Sequence, residues 1–220
     1  MQFWLYSSGD GWSNAAADRE LIKSIGSRAR LTFVPSPGGD ASEYVAEFVE
    51  RFRAYGRPSF KVFPVDRPYS GRELLKALAA DLVYLSGGNT FAFLHALRAS
   101  GFAVQMQRYT ERGGVLAGHS AGAILMTPTI RTAGFPADDR DDNEVGLKDL
   151  RALRLVEFEV FPHYVSRIGV NDALKRASRA TGRPIYALAD GSAIARAGEQ
   201  LVFHGPVWAF VKGVRFRVNW

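Results

Sequence analysis

The sequence predicts an α/β protein with three layers: a mostly parallel sheet flanked by helices. Two observations predict it. Short apolar runs of strand length alternate with longer segments of helical period, and no internal repeat breaks the alternation. Small-residue turns close several runs: Ser7-Ser8-Gly9-Asp10-Gly11, Ser36-Pro37-Gly38-Gly39-Asp40 and Ser86-Gly87-Gly88-Asn89-Thr90. At 220 residues the chain is expected to be a single domain, 1–220, within the reach of one core.

The elements follow in order. Phe3 to Tyr6 is an apolar and aromatic run, read as the first strand. Asn14 is placed to cap a helix running through Ile25, with Ala15, Leu21, Ile22 and Ile25 on its buried side. Leu31 to Pro35 is the second strand. Ser42 to Tyr55 is a helix, because Tyr44, Val45, Phe48, Val49 and Phe52 recur at three and four. Ser59 to Val65 reads as a third strand, Gly71 to Ala80 as a helix and Leu82 to Leu85 as a fourth strand. Thr90 is placed to cap a helix from Phe91 to Arg98, and Phe102 to Arg112 is a further helix.

The pattern changes after Met126. Thr132 to Asn143 is polar, with Asp138, Asp139, Asp141 and Asp142 close together. It reads as a solvated loop over the site rather than a metal cluster. Leu155 to Phe161 is a strand, Asn171 to Ala180 a helix and Pro184 to Leu188 a strand. Ala193 to Trp220 alternates, with turns at Ala197-Gly198 and Lys212-Gly213, and is expected to finish the sheet as antiparallel strands.

Composition narrows the function classes. Apolar residues make up 47% and charged residues 23%, ordinary for a globular protein. No apolar run approaches the ~20 residues of a membrane helix. Met1 to Tyr6 has no basic leader and reads as a strand rather than a signal peptide. There is no Cys, which removes disulfides, a thiol nucleophile and thiolate metal sites, and fits a cytoplasmic protein. The net charge of +6 raises nucleic-acid binding. However, Lys and Arg are scattered, and the densest part, Arg167 to Arg183, is broken by Asp172. Neither a nucleic-acid nor a membrane partner is expected.

The chemistry is carried by Gly113 to Met126, which runs Gly-Gly, three apolar residues, Gly-His-Ser-Ala-Gly and four apolar residues. A short strand, a sharp turn and an apolar helix have the form of a nucleophile elbow. Gly118 and Gly122 fall where two chain segments pass too closely for a Cβ. Ser120 is raised at the carboxyl end of its strand, where ligands of such sheets bind. The plainer alternative is a structural turn in a chain with 22 Gly.

Ser120 needs a base, and the base needs an orienting acid. Of the four His, His95 is mid-helix and His119 sits inside the elbow, turned away from its neighbour's hydroxyl. His163 follows a strand and a Pro at a strand's end and is the favoured base. Asp190, before Gly191, stands at another strand end and is the favoured acid. Two other sets stay open: Ser120, Asp190 and His204, or an acid between 138 and 144 with His163. The backbone N–H of Ala121 is one oxyanion donor, and the Gly87-Gly88 turn offers a second.

Leu85 to Phe91, Gly-His-Ser-Ala-Gly-Ala at 118–123, Phe161-Pro162-His163 and Asp190-Gly191 together resemble peptidase E, the aspartyl dipeptidase family. Cyanophycinase is a more distant relative. The resemblance implies a fold similar to class I glutamine amidotransferases (flavodoxin-like), with Ser in place of Cys at the elbow. It implies the triad Ser120, His163 and Asp190, an oxyanion hole from Gly88 and Ala121, no metal and no cofactor. The chain departs in two places. Peptidase E carries Glu where this chain has Asp190. The segment after His163 is also shorter than in aspartyl dipeptidases, where it supplies an Arg for the substrate's Asp side chain. Arg167 is the nearest substitute, with Arg176 and Arg179 behind it.

The expected function is a serine exopeptidase on small peptides, most simply a dipeptidase, as a monomer or homodimer. The alternatives are an esterase or other hydrolase with a different triad, and an amidotransferase-like domain that binds without catalysis.

Overall fold

The computed structural model describes residues 1–9, 11–137, 140–196 and 198–219. Asp10, Asp138, Asp139, Ala197 and Trp220, which the sequence places in turns, the acidic loop and the tail, lie outside the described residues.

The main sheet has seven strands: β1 (Phe3–Tyr6), β2 (Arg30–Val34), β3 (Ser59–Val62), β4 (Leu82–Leu85), β5 (Val115–His119), β8 (Ala193–Arg196) and β9 (Leu201–His204). Their spatial order is β3-β2-β4-β5-β1-β8-β9. The five strands from β3 to β1 are mutually parallel, while β8 and β9 close the far edge antiparallel. The mostly parallel, helix-flanked sheet agrees with the expected class.

Both faces of the sheet are covered, which explains the unbroken apolar runs. In β1, Phe3 and Leu5 join one core with Leu85, Phe93, Leu97, Phe102 and Leu125. Those residues come from β4 and from helices α4 (Thr90–Ala99), α5 (Phe102–Glu111) and α6 (Ala121–Leu125). Trp4 and Tyr6 point the other way and join Leu21, Phe48, Phe52 and Tyr84. There they meet α1 (Ala15–Ile25) and α2 (Ser42–Arg53). Helix α3 (Gly71–Leu78) starts with a capping box, Ser70 and Glu73 satisfying each other's backbone N–H.

One expectation is overturned. Of the tail from Ala193 to Trp220, expected to finish the sheet, only β8 and β9 do so, while its last two strands join a second sheet. This second sheet, ordered β11-β10-β7-β6, is built from β6 (Glu159–Phe161), β7 (Ile185–Leu188), β10 (Val207–Val211) and β11 (Val214–Arg217). The edge of the main sheet beside β1 is occupied by β8, so β6 and β7 pair with each other instead. Helix α7 (Ile168–Thr181) makes the crossover between them. Its Val170 and Leu174 pack with Phe161, Ile185 and Phe210 in a third core.

Smaller differences have local causes. The third strand ends at Val62, and the strand expected from Leu155 is only Glu159–Phe161. Asn89, not Thr90, caps α4: its side-chain oxygen accepts the Ala92 N–H at 2.9 Å. Asn14 holds the cap position of α1 without a side-chain cap bond, because its amide donates to the Gly9 carbonyl at 3.0 Å. Among the described residues no helix is long and apolar enough to cross a membrane.

Candidate active site

Strand β5 lies between β4 and β1, with Gly118 in register with Leu85 and Leu5. The chain then turns sharply, and Ser120 takes φ 52° and ψ −112°. A non-glycine residue holds such a conformation only where its surroundings over-determine it. Here the Ser120 N–H donates to the Tyr6 and Ser7 carbonyls at 3.0 and 3.1 Å. The turn also requires its glycines. A Cβ on Gly118 would collide with the backbone of Gly122, and one on Gly122 with the carbonyl of Leu85.

The Ser120 hydroxyl is 2.8 Å from Nε2 of His163. Nδ1 of the same imidazole is 3.0 Å from Oδ1 of Asp190. His163 follows β6 and Asp190 follows β7, so the second sheet brings both to an elbow that belongs to the first. His163 itself has φ 54°. Its backbone N–H donates to the buried hydroxyl of Ser7 at 2.7 Å, and that hydroxyl has two acceptors in reach, the Leu188 carbonyl at 3.0 Å and Oδ1 of Asp190 at 3.3 Å. The Tyr164 N–H reaches the same carbonyl at 2.8 Å. Ser7 directly follows β1; its place just past the strand beside the elbow is the one signal of it in the sequence.

The other sequence candidates fall as follows. His204 pairs with Glu20 at 2.8 Å at the end of β9. Asp141 is not on His163: its carboxylate accepts the Thr90 N–H at 2.7 Å, and its own N–H donates to the Ala133 carbonyl at 2.9 Å. Gly88 has φ 128°, and a Cβ there would come 2.6 Å from the Ser36 side chain. The neighbouring Gly87 lies against His119 and Ser120. Beside Gly87, the Gly122 N–H is committed to the Ser86 carbonyl at 3.0 Å. Arg167 is an exposed residue at the start of α7.

Two buried charged groups support the strand ends. Arg51 on α2 makes a two-pronged pair with Asp18 on α1, at 2.6 and 2.7 Å. Its guanidinium lies 4.6 Å from the centre of the Tyr6 ring. Tyr84, at the end of β4, has its hydroxyl pushed up to about 12 by burial. His119 is pushed down to about 4, first by burial and then by the positive charge of Arg51 and by His163. It is therefore a neutral imidazole at neutral pH.

A cavity of about 60 Å³ opens beside Ser120 and His163. Phe135, Phe161 and Ile124 give it apolar walls, and Thr90, Thr132 and Asp141 give it polar ones. Arg167 is not among the residues that line it.

A helix-flanked parallel sheet that raises a serine on an elbow, against a histidine from a neighbouring strand end, defines an α/β protein of the serine-hydrolase class. The chain belongs to peptidase family S51, whose model matches residues 3–203. It is 26% identical to Peptidase E of Salmonella typhimurium over 88% of this chain and 85% of that one. It is 38% identical to an uncharacterized peptidase of Pasteurella multocida, over 39% of this chain and 41% of that one. The match therefore spans less than half the length of the Pasteurella relative. Among solved structures, a peptidase from an acI-B1 Actinobacterium superposes with a TM-score of 0.66 at 18% identity, over 99% of this chain and 93% of that one. A Listeria monocytogenes protein provisionally assigned to peptidase E gives 0.68 at 24%, over 92% and 96%.

Proposed function

We propose that this protein is a serine exopeptidase of small peptides, most simply a dipeptidase. Ser120 attacks the scissile carbonyl. His163 takes the hydroxyl proton and returns it to the leaving amine, and Asp190 holds the imidazole tautomer. The N–H groups of Ala121 and Gly88 receive the oxyanion. The observation that carries the reading is the continuous chain from Ser120 through His163 to Asp190, at 2.8 and 3.0 Å, in a member of a peptidase family. The His204 set has no such support, since that imidazole is engaged by Glu20. A preference for N-terminal Asp rests on the family resemblance and on Arg167 alone. The test is covalent labelling by a serine-directed phosphonate, with the modified residue located by mass spectrometry. Labelling of Ser120 supports the reading. A folded protein that takes no label contradicts it.

A further inference from the structure

The cavity beside Ser120 has walls that select by size and by charge. Ile124 on α6 and Phe161 at the end of β6 give two apolar sides, and Phe135 gives a third. The Phe135 and Phe161 rings stack with their centres 5.9 Å apart and their planes at 11°. Phe135 does not sit on a loose segment. The Ala133 carbonyl accepts the Asp141 N–H at 2.9 Å, and the Asp141 carboxylate accepts the Thr90 N–H at 2.7 Å. The next residue is held too, the Asn89 amide donating to the Asp142 carbonyl at 2.8 Å. A packed wall held in this way excludes a side chain that is too large, instead of moving aside. The cavity measures about 60 Å³. A cavity of about 150 Å³ admits a benzene ring, so this one has room for roughly two or three heavy atoms. No Lys or Arg is among the described residues that line it, and its one carboxylate is Asp141. An acidic side chain entering here would lose its water, gain no counter-charge and meet a like charge.

We propose that this cavity receives the side chain of the residue whose carbonyl Ser120 attacks, that it takes short uncharged side chains, and that Phe135 sets the size limit. This rests on the peptidase reading and deepens it by naming the substrate class: peptides with Ala, or a residue of similar size, before the scissile bond. That side chain springs from the Cα bonded to the scissile carbon, so its pocket adjoins the nucleophile. The cavity is lined by Ser120 and His163 themselves. The acidic preference implied by the family resemblance is then absent from this chain. Arg167, the cation that would serve it, is not among the lining residues.

The test uses two series on wild type, Phe135→Ala and Phe135→Leu. One is a set of diphenyl 1-aminoalkylphosphonates with methyl, isobutyl, benzyl or carboxymethyl side chains, read as the rate of Ser120 labelling. The other is Ala-Leu, Leu-Leu, Phe-Leu and Asp-Leu, read as kcat/KM. Wild type is expected to favour the methyl phosphonate and Ala-Leu, by about 10- to 200-fold over the isobutyl and Leu-Leu members. The benzyl and carboxymethyl members, with Phe-Leu and Asp-Leu, should fall lower still. Phe135→Ala is expected to raise kcat/KM for Leu-Leu and Phe-Leu by about 10-fold or more and to lower it for Ala-Leu. Phe135→Leu keeps a wall against Phe161 and should move the order part of the way. Fastest reaction of the carboxymethyl phosphonate and Asp-Leu overturns the proposal, as does an order unchanged in both Phe135 variants. If Ala-Ala and Leu-Ala are cleaved equally while Ala-Leu lags, the cavity belongs to the leaving residue and the proposal fails. Failure of every phosphonate to label folded wild type removes the peptidase reading itself, which separates that failure from the others.

Discussion

The Ser7 hydroxyl accepts the backbone N–H of His163 at 2.7 Å, across 156 residues of sequence and from one sheet to the other. The same hydroxyl lies 3.0 Å from the Leu188 carbonyl and 3.3 Å from Oδ1 of Asp190, so one buried group holds the ends of β1, β6 and β7 together. It supports a histidine whose φ of 54° needs such support.

Ser7→Ala leaves the His163 N–H without this acceptor. The expected cost is about 1–3 kcal/mol of stability, read as a lower denaturant midpoint. Turnover should fall through kcat more than through KM, because the imidazole loses its fixed position rather than the enzyme losing a substrate contact.

Asp190→Asn should reduce kcat by on the order of 10³–10⁴, since an amide no longer stabilises the imidazolium or fixes the right tautomer. His204→Ala should leave turnover within a few-fold, because its partner is Glu20. Steady-state kinetics on His204→Ala decides between the two histidines, and on Asp190→Asn tests the acid.

Gly118→Ala tests the elbow as a piece of backbone packing. The new methyl meets the Gly122 backbone, which has no flexible end to move aside. Overpacking of this kind costs about 1–3 kcal/mol or more. A lower melting temperature together with lost labelling of Ser120 is the expected outcome.

The sequence shows the main sheet well because its strands are buried on both faces. Phe3 to Tyr6 and Leu82 to Leu85 are apolar at every position, and no tertiary information is needed to find them. The second sheet is not visible in that way. β6 has only three residues, and one of them is Glu159, buried with its carboxylate on Thr127, Thr129 and Arg183. Which sheet β6 and β7 join depends on β8 taking the edge beside β1, a choice made between distant segments. The site shows the same division. Ser120, His163 and Asp190 stand at strand ends beside turn residues, and the sequence marks those places. Ser7 looks like one more serine in a turn, and Asp141 like one more charge in an acidic loop. Their partners, His163 and Thr90, come from distant parts of the chain.

Arg51 is a further residue that helical spacing alone passes over. Arg51→Leu strands the fully buried Asp18 carboxylate and should destabilise the fold by about 3–5 kcal/mol. Adding Asp18→Asn should recover part of the loss, because the uncompensated charge is gone. Chemical denaturation of the two variants measures the difference.

His119 predicts a specific acid response. Free imidazole binds a proton near pH 6.5, whereas folded His119 does so only near 4. Between those values the unfolded state holds more protons, so stability falls as pH drops from about 6.5 to about 4. The contribution is about 3 kcal/mol in total, and it levels off below the lower value. In His119→Gln this part of the pH slope should vanish, which a series of urea titrations across that range detects.

The central claim is that Ser120 is the nucleophile of an exopeptidase. Hydrolysis of an Asp-Xaa, Met-Xaa, Leu-Xaa and Ala-Xaa dipeptide panel by wild type and Ser120→Ala, side by side, tests it most directly. Wild type is expected to cleave at least one member, with a loss of roughly 10⁴-fold or more in the variant. Wild-type rates in purified Ser120→Ala, or no cleavage of any member by the folded wild type, would contradict it.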